Sequence, residues 1–207
     1  MNIDLSSAEL VLADGYRRHG SLFGWIADPD KRFLAVFLTE VAKLFGHSMR
    51  MVEVGSFAGS TTRALIAFTG GHVIAIDNWK DFTGEGTRSL AGHPDGPSFF
   101  WHTLKYSGSD LSAQATLLSG DSKEIGKTWT TPIDLLFVDG DHSYDGASAD
   151  LLLYTLHVVP GGFCLIDDYD MKDVKRAVDD RIGMAGWETI RIPDGDAAKI
   201  YVLRKPL

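Results

Sequence analysis

Two short stretches hold most of the side chains that could do chemistry. Residues 134–145 read DLLFVDGDHSYD and residues 161–170 read GGFCLIDDYD. Each is an apolar run ending in carboxylates: Asp139 and Asp141 with His142 in the first, Asp167 and Asp168 in the second. Like charges this close repel and shift one another's pKa unless a proton or cation joins them. Clusters of carboxylate oxygens suit a hard divalent cation that keeps several of its waters. The competing reading is that Asp168 or Asp170 caps a helix while the other acids face solvent.

Three more segments have the make-up of a nucleotide site. VEVGSFAGST (52–61) puts Gly55 and Gly59 between a strand pattern and a helix pattern. Such a turn brings backbone N–H groups and the positive end of a helix to a ligand. About twenty residues on, IAIDNW ends a second strand pattern in Asp77, where a carboxylate can accept the hydroxyls of a ribose. Asp121, in LLSGDSKEI, follows a third strand pattern near where an adenine would lie, although Gly-Asp-Ser is also an ordinary turn and N-cap. Together these point to an adenosine ligand, without separating NAD from S-adenosylmethionine.

The elements that must carry these residues alternate. KRFLAVFLTEVAKLFG (31–46) has apolar residues at i, i+3 and i+4, an amphipathic helix closed by a glycine. Strand 49–54, helix 60–69 and strand 72–77 then make a βαβ unit, hence a parallel sheet. Residues 80–98 read as a long Gly/Pro/Ser/Thr loop, after which a helix resumes at Phe99. ATLLSGDS and IDLLFVDGD supply strands. SADLLLYTLHVVPGG is expected to be a helix stopped by Pro160 and Gly161, and GFCLIDDY the strand after it. A helix over 171–183 leads to two alternating segments flanking PDGDA, an antiparallel hairpin. The expected fold is α/β: a doubly wound, mostly parallel, seven-stranded sheet with an antiparallel C-terminal hairpin strand. One domain over 1–207 is expected, with N-terminal helices in 1–47 and the 80–98 loop, including His93, as a candidate functional cover.

Bulk properties narrow the classes. The formal net charge of −8 argues against general nucleic-acid binding, which needs a basic face. Cys164 is the only cysteine, so no intramolecular disulfide can form, and it reads as a small core residue. The N-terminus lacks the pattern of a secretory signal, and no apolar run approaches the ~20 residues that span a bilayer. A cytoplasmic protein without a membrane partner is expected, with self-association into a homo-oligomer left open.

With these residues in view, VEVGSFAGSTTRAL, IDNW, GDS, FVDGDHSYDGASADL and VPGGFCLIDDY resemble the class I S-adenosylmethionine methyltransferases. Within them the chain is similar to the metal-dependent group related to macrocin O-methyltransferase and cephalosporin hydroxylase-like proteins, over roughly residues 22 to 170. The resemblance implies a cofactor site of Glu53, Gly55, Ser56, Ala58, Gly59, Ser60, Asp77, Asn78, Trp79, Asp121, Ser122 and Asp139. It implies a divalent metal, magnesium being usual, on Asp139, Asp167 and Asp168. Asp141 or His142 would stand near the acceptor hydroxyl as base, and Tyr144 and Asp150 would pack and pair. The implied reaction is O-methylation of a small hydroxylated acceptor such as a sugar, a glycosylated metabolite or another diol. The alternatives are an NAD-linked oxidoreductase, disfavoured by the missing third glycine and the terminal hairpin, and a non-catalytic cofactor-binding module. A two-histidine, one-carboxylate iron triad is not evident.

The chemistry explains why such residues would be needed. An alcohol with a pKa near water's ~15.7 lies about nine log units from ionisation at pH 7, or about 12 kcal/mol. A cation on its oxygen lowers that cost, and a nearby base removes the proton.

Overall fold

The computed structural model describes residues 3–80, 93–182, 186–193 and 197–207. Two helices, α1 (Ala8–His19) and α2 (Asp28–Ala42), precede β1 (Arg50–Val54), α3 (Ser60–Thr69) and β2 (His72–Asp77). Then come α4 (Gly96–Tyr106), β3 (Ala115–Ser119), α5 (Ser122–Gly126), β4 (Ile133–Val138) and α6 (Tyr144–Tyr154). The chain closes with β5 (Val158–Ile166), α7 (Lys172–Arg181), β6 (Glu188–Arg191) and β7 (Tyr201–Arg204). The seven strands lie in the order β3-β2-β1-β4-β5-β7-β6. β1 pairs in parallel with β2 and β4, β2 with β3, and β4 with β5, while β7 runs antiparallel between β5 and β6. This is the expected doubly wound sheet with its antiparallel hairpin strand.

Both faces of the sheet are covered, which is why β4 reads as an unbroken apolar run. Leu135 and Phe137 join one core with Phe37, Leu65 and Phe100 from α2, α3 and α4. Leu136 and Val138 point the other way, into a core with Leu151 of α6 and Val174 of α7. The period-2 alternation is present but hidden, because neither face is polar.

Several boundaries differ from the sequence reading: α2 spans Asp28–Ala42 rather than 31–46, and α6 opens at Tyr144 rather than Ser148. The helix expected to run up to Pro160 ends at Tyr154, and Val158 already begins β5. Pro160 and Gly161 sit instead in an irregularity of that strand, where the pairing with β4 jumps from Ile133↔Val158 to Leu135↔Phe163. The two elements are joined by a single turn, Thr155–His157, that keeps an apolar Leu156 between Thr155 and His157, so hydrophobic pattern alone does not mark where the helix ends and the strand begins. In addition, α4 starts at Gly96 rather than Phe99, because Asp95 caps it by accepting from Ser98 N–H at 2.7 Å. Of the expected loop cover, residues 81–92 lie outside the described residues.

The end of α1 is tied to α3 and α4 by a fully buried arginine. Arg63 of α3 is 0% exposed and donates to the carbonyls of His19, Ser21, Thr103, Leu104 and Ser109. His19 ends α1, while Thr103 and Leu104 lie in the last turn of α4, so the cation faces the negative ends of two helices. Among the described residues no helix is long and apolar enough to cross a membrane.

Candidate functional site

In open parallel sheets the ligand crevice lies beyond the strand C-termini where the strand order reverses. Here that point falls between β1 and β4. Gly55, just after β1, has φ +88, and a Cβ on it would stand 1.8 Å from the Asp139 carbonyl oxygen. Asp139 N–H in turn donates to Val54 O at 2.8 Å. Only glycine allows the turn after β1 and the acidic end of β4 to lie this close.

The turn itself leaves a hydroxyl without a partner. Ser56 is 4% exposed, and its Oγ makes no hydrogen bond among the described residues. A buried unpaired hydroxyl is costly, so such a group marks a place for a polar ligand atom. Asp77 accepts from Phe57 N–H at 2.7 Å on one oxygen and from Trp79 N–H at 2.6 Å on the other. These two bonds hold the carboxylate at the C-terminal end of β2, where such folds place the ribose-binding acid. The pattern fits an adenosyl ligand.

Other residues expected in the cofactor site have different surroundings. Ala58 is buried, and Ser60 opens α3 against Gly24. Gly59 is needed for packing, since its φ is +77 and a Cβ there would lie 2.7 Å from Leu104 and 2.8 Å from Phe100. Glu53 is 1% exposed and accepts from the Thr62 hydroxyl. Burial, with the charges of Asp139 and Asp77, pushes its carboxyl up to about 8. Asn78 is exposed and accepts from Lys80 N–H at 2.9 Å. Trp79, 5% exposed, donates its indole N–H to Phe57 O at 3.1 Å beneath Gly96. Asp121 caps α5 through Lys123 N–H at 2.9 Å and meets Lys80 Nζ at 3.2 Å. Ser122 donates at 2.6 Å to buried Asp150, whose pKa burial pushes up to about 6.

The acidic strand ends converge, though not in the expected set. Single ligand atoms of Asp139, His142 and Asp168 lie within 4.8 Å of one another. His142 Nε2 is 3.2 Å from Asp168 Oδ2 and 3.5 Å from Asp139 Oδ1. Neither approach is aligned as a hydrogen bond, so a buried ring nitrogen faces two carboxylate oxygens without closing on either. Adjacent ligands around a small divalent ion with ~2.1 Å bonds stand about 3 Å apart, so the donor set and its spacing fit such an ion. Burial, and repulsion from Asp168 and Asp77, hold Asp139 above the usual carboxylate range, while its proximity raises His142.

Asp167 is outside this three-residue group. One of its oxygens accepts from Asp168 N–H at 2.8 Å, and burial with the Asp139 charge pushes its pKa up to about 8. Asp168 adopts φ +49, a left-handed conformation that aspartate tolerates better than most residues. Asp141 turns back over the start of α6, accepting from Ser143 N–H at 2.9 Å, with Lys123 Nζ 3.9 Å away. Of the two candidate bases, His142 is the one in the cluster. Neither Asp168 nor Asp170 caps α7 with its side chain: the N-cap position is Met171, with no side-chain cap, and α7 starts at Lys172. His93 stacks on Phe99 at 5.0 Å and, with Trp101, His102 and Tyr106, lines a surface cavity of about 460 Å³ on α4.

Sequence reasoning missed Lys199, whose Nζ lies 2.6 Å from Asp168 Oδ1. The signal was the hairpin: β7 pairs with β5 so that Ile166 faces Tyr201, which sets the residues before β7 beside Asp167 and Asp168.

Comparisons with known proteins bear on the family and the fold. Residues 52–169, over half of the chain, match a family described as a methyltransferase domain. A 37-residue stretch is 49% identical to the uncharacterized protein R132 of Acanthamoeba polyphaga mimivirus, covering 18% of this chain and only 17% of that protein. A cofactor-bound structure of Rv0187 from MTB superposes with a TM-score of 0.65 at 15% identity, over 97% of this chain and 88% of that one. Apo CalS11, described as a TDP-rhamnose 3'-O-methyltransferase of calicheamicin biosynthesis, gives 0.61 at 16% identity, over 83% and 76%. At these identities the structural likeness establishes the fold.

Proposed function

Because the chain belongs to the methyltransferase-domain family and is an S-adenosylmethionine-dependent methyltransferase of class I, we propose that it methylates an oxygen of a small hydroxylated acceptor with the help of a divalent ion. The observation that carries this reading is the adjacency of two sites. The glycine turn with its unpartnered Ser56 hydroxyl abuts, through Gly55 and Asp139, the cluster of Asp139, His142 and Asp168.

When bound, S-adenosylmethionine supplies an electrophilic methyl group, and a divalent ion supplies the positive charge that eases deprotonation of an acceptor hydroxyl. Ser56 and the turn would hold the methionine end, Asp77 the ribose, and the Asp121–Ser122 turn the adenine end. Asp139 and Asp168 would hold the ion, with His142 as a third ligand or as the base that takes the proton. The imidazole makes manganese as suitable as magnesium. In-line displacement needs the acceptor oxygen fixed against the methyl, which the shared β1–β4 edge favours. A vicinal diol or sugar suits an ion that can bind two neighbouring oxygens, in keeping with the sugar named for CalS11.

The test is incubation with S-adenosylmethionine, Mg²⁺ or Mn²⁺, and panels of sugars, glycosides and catechols, reading S-adenosylhomocysteine release. Asp168→Ala should lose transfer while still binding S-adenosylmethionine by calorimetry. Full activity in EDTA would remove the ion from the reaction.

A further inference from the structure

Lys199 reaches the acidic cluster from beyond the segment that matches the family. Its backbone is held from both sides. The N–H donates to Asp30 Oδ2 at 2.8 Å, and the carbonyl accepts from Tyr169 N–H at 3.0 Å. Asp30 is 1% exposed, is paired with Arg191 of β6, and also accepts from Ile200 N–H at 3.4 Å. Tyr169, which follows Asp168, stacks on Tyr201 of β7 at 4.3 Å. Parts of α2, β6 and β7, and the residues after β5, thus combine to place one lysine stem beside one carboxylate. A surface ammonium that only needed solvation would require none of this, since water hydrates it well.

The two oxygens of Asp168 are divided between two cations or cation-forming groups: Oδ1 faces Lys199 and Oδ2 faces His142. An ion bound to Asp168 would therefore lie within a few ångströms of a unit positive charge, where repulsion is felt even in a water-like medium. Building on the divalent-ion reading above, we propose that Lys199 is a built-in competitor for that ion: its ammonium neutralises Asp168 when the cluster holds no metal and must yield when metal binds. Lys199 thereby weakens metal affinity while keeping the metal-free acids from repelling one another.

The experiment is calorimetric titration of the full chain with Mn²⁺ alone, comparing wild type, Lys199→Met and Lys199→Arg. Thermal melting in EDTA and in saturating Mn²⁺ is measured beside it. Lys199→Met keeps the stem and removes the charge, so it should bind Mn²⁺ about tenfold more tightly, a change of about 1.4 kcal/mol. Lys199→Arg, which keeps the charge, should stay near wild type. In EDTA, Lys199→Met should melt below wild type, and Mn²⁺ should close or reverse that gap. Equal or weaker Mn²⁺ binding by Lys199→Met overturns this inference alone. Absence of both binding heat and melting shift in all three proteins overturns the divalent-ion reading and this inference with it.

Discussion

Glu53→Gln should make the protein more stable, by an amount that grows with pH. Glu53 is 1% exposed at the end of β1, and its carboxyl is pushed from 4.5 to about 8 by burial and the nearby acids Asp139 and Asp77. In the folded chain it therefore keeps its proton at neutral pH, whereas in the unfolded chain it gives the proton up. Stability tied to this group is complete below the unfolded pKa and drains away as pH rises toward about 8. At 1.36 kcal/mol per unit, the loss by pH 7 is roughly 3 kcal/mol. Glutamine is neutral throughout, and its carbonyl can still accept from Thr62. Urea unfolding of both proteins at pH 5, 6, 7 and 8, in EDTA, would isolate the effect. The stability gap in favour of Glu53→Gln should widen by roughly 2–3 kcal/mol between pH 5 and 7, whatever the fixed repacking cost. A gap that does not change with pH would show that Glu53 is ionised in the folded state, and the reasoning from its burial would be refuted.

Further outcomes can be checked as simply. Arg63→Met should cost at least about 3 kcal/mol in urea unfolding, because five carbonyls lose a charged donor in a buried setting; a loss under 1 kcal/mol would mean that water replaces it. Gly55→Ala forces a Cβ to 1.8 Å from the Asp139 carbonyl at φ +88, so calorimetry should show S-adenosylmethionine binding weakened by more than about tenfold. Cys164 is fully buried and its thiol is pushed up by that burial, so it should react with a disulfide reagent only after denaturation.

The turn between β1 and α3, and the Asp77 that ends β2, were legible in the sequence for local reasons. A glycine-punctuated junction between period-2 and period-3.6 segments marks its own boundaries. The two alternating segments that pair as β6 and β7 were legible for the same reason, although residues 194–196 between them lie outside the described residues. Where local signals merge, as in LLLYTLHVVPGG, the α6–β5 boundary was lost, because a helix and a strand buried on both faces share one apolar pattern.

The site divides in the same way. The sequence by itself determined that carboxylates stand at the ends of β4 and β5, since each follows an apolar run at once. Only the tertiary structure decided which of them meet. Ser143 caps α6 and turns Asp141 over the helix, leaving His142 to face Asp139 and Asp168. The left-handed backbone at Asp168 and the register of β7 on β5 bring Lys199 to that same carboxylate across 31 residues of chain. Contacts of this kind are fixed by strand order, register and backbone direction, and none of these follows from the spacing of residues along the chain.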